Sequence, residues 1–203
     1  MKNVFIVLEG IDGSGKGEAI KRLSEHYSAK YEVLTTTEPT DGRYGMEIRM
    51  LLKDGSNPES SSEKLTELFI KDREEHVNQK IIPFLKDGEN KILICDRYYY
   101  STLVYQSLQG ISLKKLFEDN KKFPKPDICF ILDLPAKTAI GRVASRGRND
   151  KFEQPDFMKK LRETFLELPK MLKEQIKIVD SSKGKEEVFD TLKREIDNFI
   201  ISQ

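Results

Sequence analysis

Four short apolar runs punctuate the chain: Val4 to Leu8, Lys91 to Cys95, Ile128 to Leu132 and Ile176 to Val179, with a weaker fifth from Tyr31 to Thr35. Long stretches with helical periodicity separate them. Short apolar runs alternating with helices predict a parallel sheet covered on both faces. The pattern is that of an α/β fold in three layers, a five-stranded parallel sheet flanked by helices. The first helix is expected to follow Lys16 and run toward Lys30. Another should begin near Ser60, whose spacing to Glu63 fits a capping box, and end before Asp87-Gly88. Pro135 fits the first turn of a helix running toward Arg146, and the last helix should span about Lys185 to Ile201.

No internal repeat and no interdomain linker is visible, so residues 1–203 are expected to form one domain. The most polar, glycine-marked interruption, about 145–154 (SRGRNDKFEQ), is expected to be a short basic lid between two helices. A chain of 203 residues can bury roughly 70% of its unfolded surface, enough for a core without staples. No run of apolar residues is long enough for a membrane span. The N-terminal run is too short and too soon acidic for a signal peptide. Lys plus Arg number 35 against 34 Asp plus Glu, which disfavours a strongly basic nucleic-acid binder; positive charge must act locally. Cys95 and Cys129 each sit in an apolar run, with neither disulfide nor metal spacing, and are expected to be buried thiols in a reducing cytoplasm.

Residues Gly10 to Gly17 read GIDGSGKG, directly after a strand run and before a helical pattern. They match the first seven positions of the phosphate-binding pattern G-x-x-x-x-G-K-[ST]. Gly10, Gly13 and Gly15 allow positive φ and close approach of an anion, and successive N–H groups then converge at a helix N-terminus. Lys16 adds a flexible point charge at the β- and γ-phosphates. A match to the spacing alone arises by chance about 5% of the time in a chain of this length; the strand before and helix after make it far more specific. Gly10, Ile11, Asp12, Gly13, Ser14, Gly15, Lys16, Gly17 and Glu18 are therefore expected to bind ATP, together with Arg142. Gly17 departs from the pattern: it stands where Ser or Thr would offer a hydroxyl to Mg²⁺. Backbone binding should survive, with water filling the vacant metal position.

The second substrate is read from elsewhere. Asp96-Arg97 follows the third strand, where open α/β sheets bind ligands. Phe69 and Arg73 lie four apart on one helix face and suit a planar base that needs stacking and a hydrogen bond. Arg97, Ser101 and Tyr105 share another face, and Thr102 and Gln106 its neighbour. His26 and His76 are expected to be solvated or capping, and Glu174 and Lys177 to belong to a wet face.

With LEGIDGSGKG, Glu38-Pro39, EIRMLL from Glu47, LFIKDREEHV from Leu68, CDRYYYSTLVYQ from Cys95 and PDICFILDLPAKTAIGRVASRGR in this order, the chain resembles the thymidylate kinase family, of the P-loop nucleoside monophosphate kinase fold, over essentially its full length. The resemblance implies a P-loop NTPase-type fold and ATP-dependent phosphorylation of dTMP to dTDP, on the route to dTTP. It implies that Phe69 stacks on thymine beside Pro39, and that Arg73, Thr102 and Gln106 bond the base edge. Tyr105 would stand under the sugar and Asp12 near the 3′-hydroxyl. Arg97 and Arg49 would hold the acceptor phosphate, and Asp96 would organise Mg²⁺ or water. Gly13 leaves no arginine in the loop, so a lid arginine, Arg148 ahead of Arg146, is expected to be catalytic. Thr37 stands where relatives carry a basic residue, and Arg43 could replace that charge. A homodimer is implied as well. Two alternatives stand beside this reading: a kinase for another deoxynucleotide or nucleoside, and a catalytically weakened nucleotide-binding protein, the latter resting on Gly17.

Overall fold

The computed structural model describes residues 3–53, 58–145 and 155–202. Five strands, β1 (Val4–Glu9), β2 (Glu32–Thr37), β3 (Lys91–Asp96), β4 (Ile128–Asp133) and β5 (Ile176–Asp180), form one sheet in the order β2-β3-β1-β4-β5. Every pairing is parallel; Val4 lies beside Ile92, and Ile6 beside Ile128. The expected five-stranded parallel sheet is thus present, each strand ending one or two residues beyond its apolar run. The weak second run is an edge strand with half its side chains at the surface, which is why threonines serve there.

Central β1 is buried along its whole length, and its side chains alternate between two cores. Phe5 and Val7, with Leu93, Cys95, Cys129 and Ile131, face one side. There they meet α5 (Tyr99–Leu108), α6 (Leu113–Asn120) and α8 (Pro155–Met171). Val4, Ile6 and Leu8, with Ile94 and Phe130, face the other side, against α1 (Lys16–Tyr27) and α9 (Lys185–Ile201). In α8 the buried residues Met158, Leu161, Phe165 and Leu168 recur at helical spacing. A third, small cluster joins α2 (Arg43–Lys53) to α3 (Pro58–His76) through Ile48, Leu65 and Leu68.

Several boundaries differ from the sequence expectation. The first helix stops at Tyr27 rather than near Lys30. The long helix begins at Pro58, so Ser60 lies inside it rather than at its start; a proline is favoured in the first turn, where its missing N–H costs no bond. Nor does that helix run unbroken to Lys86. It passes through a π turn, Val77–Ile81, into α4 (Ile82–Lys86). Pro83 explains the break: its ring would crowd the carbonyl four residues back, and the wider turn relieves that. Pro135 caps α7 (Ala136–Ala144) from outside, and that helix ends before Arg146. The last helix has the expected span.

Both thiols are buried, as expected, and burial raises each well above its usual value. Glu174 corrects the wet-face reading: its side chain is 5% exposed and accepts 2.6 Å hydrogen bonds from both Tyr99 and Tyr100 hydroxyls. Lys177 pairs with Glu195 of α9.

Candidate active site

The loop between β1 and α1 opens at the C-terminal ends of β1, β3 and β4, where the chain crosses from one side of β1 to the other. Gly10, Gly13 and Gly15 all take positive φ. Two of them are required for a further reason: a Cβ at Gly10 would stand 2.7 Å from the Leu132 carbonyl, and one at Gly13 2.6 Å from that of Ala139. The loop is pressed onto β4 and α7, leaving its other side for an anion. Lys16 is buried, its Nζ donating to the carbonyls of Gly10 (3.0 Å) and Ile11 (3.2 Å). Burial, and then the charge of Arg97, holds its pKa below the usual lysine value. An incoming triphosphate is the natural counter-charge.

A cavity of about 310 Å³ flanks the outer side of this loop, with Gly13, Ser14, Gly15 and Arg142 on its walls. Arg142 donates to the Gly13 carbonyl at 3.4 Å. Ser181 and Lys183, after β5, complete the wall; sequence reasoning passed over them because no local motif marks that loop. Glu18, in the first turn of α1, also lines it and pairs with Arg22 at 2.8 Å.

On the other side of the loop lies a larger cavity of about 510 Å³. Asp12, Pro39, Arg49, Phe69, Arg73, Arg97, Thr102, Tyr105 and Gln106 all line it, so every residue expected at a nucleoside monophosphate converges there. Arg97 adopts left-handed backbone (φ 67°), a conformation costing on the order of 1–3 kcal/mol at a non-glycine residue. Its guanidinium bonds Asp12 of the phosphate loop at 2.5 Å and Ser101 at 3.0 Å, and lies over the Tyr105 ring at 5.5 Å. Burial opposes its charge, but Tyr105, Asp12, Glu9 and Asp96 around it more than compensate, and its pKa rises.

Glu9, which the sequence marks only as a neighbour of the phosphate loop, organises this end of the cavity. Fully buried, it accepts from the Tyr98 amide (2.8 Å), the Ser101 amide (3.1 Å) and the Ser101 hydroxyl (2.7 Å). A carboxylate there caps the start of α5 and favours the positive helix end. Burial raises its pKa, with Arg97 pulling the other way. Asp96, at the end of β3, keeps one carboxylate oxygen, Oδ1, buried and without a hydrogen-bond partner.

At the opposite end a buried polar cluster holds Arg73. Its Nε bonds Glu38 (2.8 Å), Nη1 bonds Asn120 (2.5 Å) and Nη2 bonds Thr102 (3.0 Å). Glu38, which follows β2 and precedes a cis peptide bond to Pro39, also accepts from His76 Nδ1 at 2.9 Å, while the other ring nitrogen meets Thr36 at 2.7 Å. Both Arg73 and Glu38 are at most 3% exposed, and removing one partner of such a pair costs about 3–5 kcal/mol. His76 is thus buried and bonded, against the expectation of a solvated or capping role; His26 is exposed, as expected, with edge contacts to Tyr27 and Phe189. Arg49 donates to the carbonyls of Pro39 and Thr40 and pairs with Asp41 at 3.3 Å. Arg43 does not supply the charge missing at Thr37: it stacks on Tyr44 and pairs with Glu75 at 3.4 Å, away from the cavity. Arg146 and Arg148, with all of the expected lid after Ser145, lie outside the described residues.

Comparison with known proteins bears on this geometry directly. The family model described as thymidylate kinase matches residues 8–192. A Pyrococcus abyssi protein named "Probable thymidylate kinase" is 42% identical over 199 residues, covering 95% of each chain. A Caldicellulosiruptor saccharolyticus protein named "Thymidylate kinase" is 38% identical, covering 98% of each. With a matching family model over most of its length, full-length relatives and a phosphate loop set beside a nucleotide-sized cavity, the chain belongs to the thymidylate kinase family.

Proposed function

We propose that this protein transfers the γ-phosphoryl group of ATP to dTMP, forming dTDP for dTTP synthesis. The observation that carries the proposal is the junction of the two cavities. A phosphate loop ends one of them, and through the Asp12–Arg97 bond it touches the other, where the whole candidate nucleotide set converges.

In this reading the loop amides and Lys16 hold the triphosphate. Phe69 offers its ring to the thymine, with Arg73, Thr102 and Gln106 toward the base edge, and Tyr105 stands below the sugar. Arg97 and Arg49 face the acceptor phosphate. Phosphoryl transfer asks little covalent chemistry of a protein; positioning and charge stabilisation supply most of the catalysis. The acceptor carries nearly two negative charges at neutral pH, so no general base is required. Like charges about 4 Å apart repel by roughly 4 kcal/mol at an effective dielectric of ~20. Lys16, Arg97 and Arg49 offset that repulsion, and Arg148 or Arg146 of the lid adds a further cation as charge spreads in the transition state. Excluding water from the site keeps ATP from being hydrolysed instead.

The residues present fit a hydrated Mg²⁺: the buried, unpartnered Asp96 Oδ1 is an acceptor suited to a metal-bound water. When bound, the ion supplies neutralisation of the phosphate charge. The reading places both substrates in one domain spanning residues 1–203 and includes a homodimer, which light scattering after size-exclusion chromatography reads.

The test is ADP release from ATP and Mg²⁺ with dTMP, dUMP, dCMP, dGMP or no acceptor, with mass detection of the diphosphate. Turnover with dTMP alone, or with dTMP and weakly dUMP, is expected. Equal or better turnover with another nucleotide overturns the substrate assignment. Binding of both substrates without turnover marks a nucleotide-binding protein weakened at Gly17.

A further inference from the structure

Arg97 reaches from the wall of the larger cavity to the phosphate loop, and both its backbone and its side chain are held. At φ 67°, its N–H donates to the Leu8 carbonyl and its own carbonyl accepts from the Cys95 thiol, each at 3.0 Å. Its guanidinium has two acceptors of different kinds. Nη2 donates to the Asp12 carboxylate, and Nη1 to the hydroxyl oxygen of Ser101 at 3.0 Å. A carboxylate always accepts. A hydroxyl serves a cation only when its own proton points elsewhere.

Glu9 decides where that proton points. Its Oε1 accepts the Tyr98 and Ser101 amides, and its Oε2 takes the Ser101 hydroxyl proton at 2.7 Å. The hydroxyl's lone pairs are thereby turned toward Arg97. Glu9 itself is 0% exposed and stands behind the cavity wall that Arg97 and Ser101 form. Burying a carboxylate is unfavourable unless donors meet it. The three donors that meet this one all belong to the four residues directly after Arg97. An amide in its place would keep the two backbone bonds through its oxygen. Its nitrogen, however, would donate where Oε2 accepts, so the hydroxyl proton would lose its acceptor and two donors would compete for one oxygen.

Resting on the dTMP reading above, we infer that Glu9 is a positioning residue for recognition of the acceptor phosphate: it acts through the Ser101 hydroxyl to orient Arg97, and does not itself touch substrate. A guanidinium held in place beforehand loses less freedom when it bonds a phosphate. A role limited to capping α5 would affect the stability of the fold and treat a nucleotide and its phosphate-free nucleoside alike. Orientation of Arg97 affects only the nucleotide.

Glu9→Gln, Ser101→Ala and the double variant test this, with Glu9→Asp as a second carboxylate variant should the amide not fold: it keeps the charge but is one methylene shorter. Dissociation constants for dTMP and for thymidine, which lacks the phosphate, are measured beside steady-state constants and melting temperature. Each single variant should bind dTMP about 10-fold more weakly, with kcat/KM for dTMP falling in step and thymidine affinity unchanged. The double variant should be no weaker than Glu9→Gln alone, because the two residues act in one chain. Equal losses for dTMP and thymidine, additive losses in the double variant, or unchanged dTMP affinity in the Glu9 variants overturns the inference even where the kinase stands. A wild type that binds no dTMP overturns the kinase reading itself.

Discussion

Gly17 is the residue at which this chain departs most plainly from its motif, and its surroundings say what the departure costs. Nothing lies within 4 Å of a Cβ built there, and its φ lies outside the left-handed range. A hydroxyl-bearing side chain therefore fits. Gly17→Thr is expected to lower the Mg²⁺ concentration that gives half-maximal turnover at fixed ATP; a Mg²⁺ titration reads this, and an unchanged midpoint contradicts it. The variant should also be slightly more stable, by a few tenths of a kcal/mol, because glycine is the poorer helix former. Residue types were legible at this scale wherever a local pattern encloses them, as in the loop and in the Phe69–Arg73 pair. His76 and Glu174 were not, because their charged sequence neighbours suggested solvent while partners far along the chain, Glu38 and the two tyrosines, enclose them.

Among the elements, α8 joins the expected lid segment to the sheet, and it is held in two ways. Its buried stripe packs on the core that carries α5, and Arg162 makes a paired contact with Asp133 at the end of β4, at 2.5 and 2.9 Å. These are unequal. Phe165 is 1% exposed, and Phe165→Ala should cost about 3–5 kcal/mol. Arg162 is partly solvated, and Arg162→Met should cost about 1 kcal/mol or less. Urea unfolding distinguishes them, and equal losses would mean that the ion pair holds this helix as strongly as the packing does. That a helix follows the lid segment was legible in the sequence; the stripe that buries Met158, Leu161 and Phe165 is seen in the structure. Helix ends were less legible. The start at Pro58 and the π turn before Pro83 follow from proline sterics within a longer helix, which a capping pattern around Ser60 obscured.

For the molecule as a whole, burial of weak acids sets an alkaline limit. Cys95 and Cys129 are raised above their ordinary 9.0, and Tyr27, Tyr98, Tyr99, Tyr100 and Tyr105 above 10.0, all chiefly by burial. A group whose folded pKa lies above its unfolded one binds more protons when folded, so its contribution is complete below the unfolded value and is lost as pH rises past it. Stability should fall from about pH 9 upward, by as much as ~1.4 kcal/mol per pH unit for each thiol. Lys16, lowered by burial, works in the opposite direction up to 10.5, but it is one group against seven. Melting temperature measured between pH 8 and 11 checks this; a flat profile contradicts it. The fold class, the parallel order of strands and helices, the phosphate loop and the faces carrying Arg97, Phe69 and Thr102 were all determined by the sequence alone, because period, glycine spacing and strand-end position are local properties of the chain. Tertiary structure alone decided that Glu38 closes over Arg73 and His76, and that Glu9 caps α5. A buried polar group is tolerable only where distant partners or a ligand meet it, and a linear pattern specifies which face a residue occupies, not who waits on the other side.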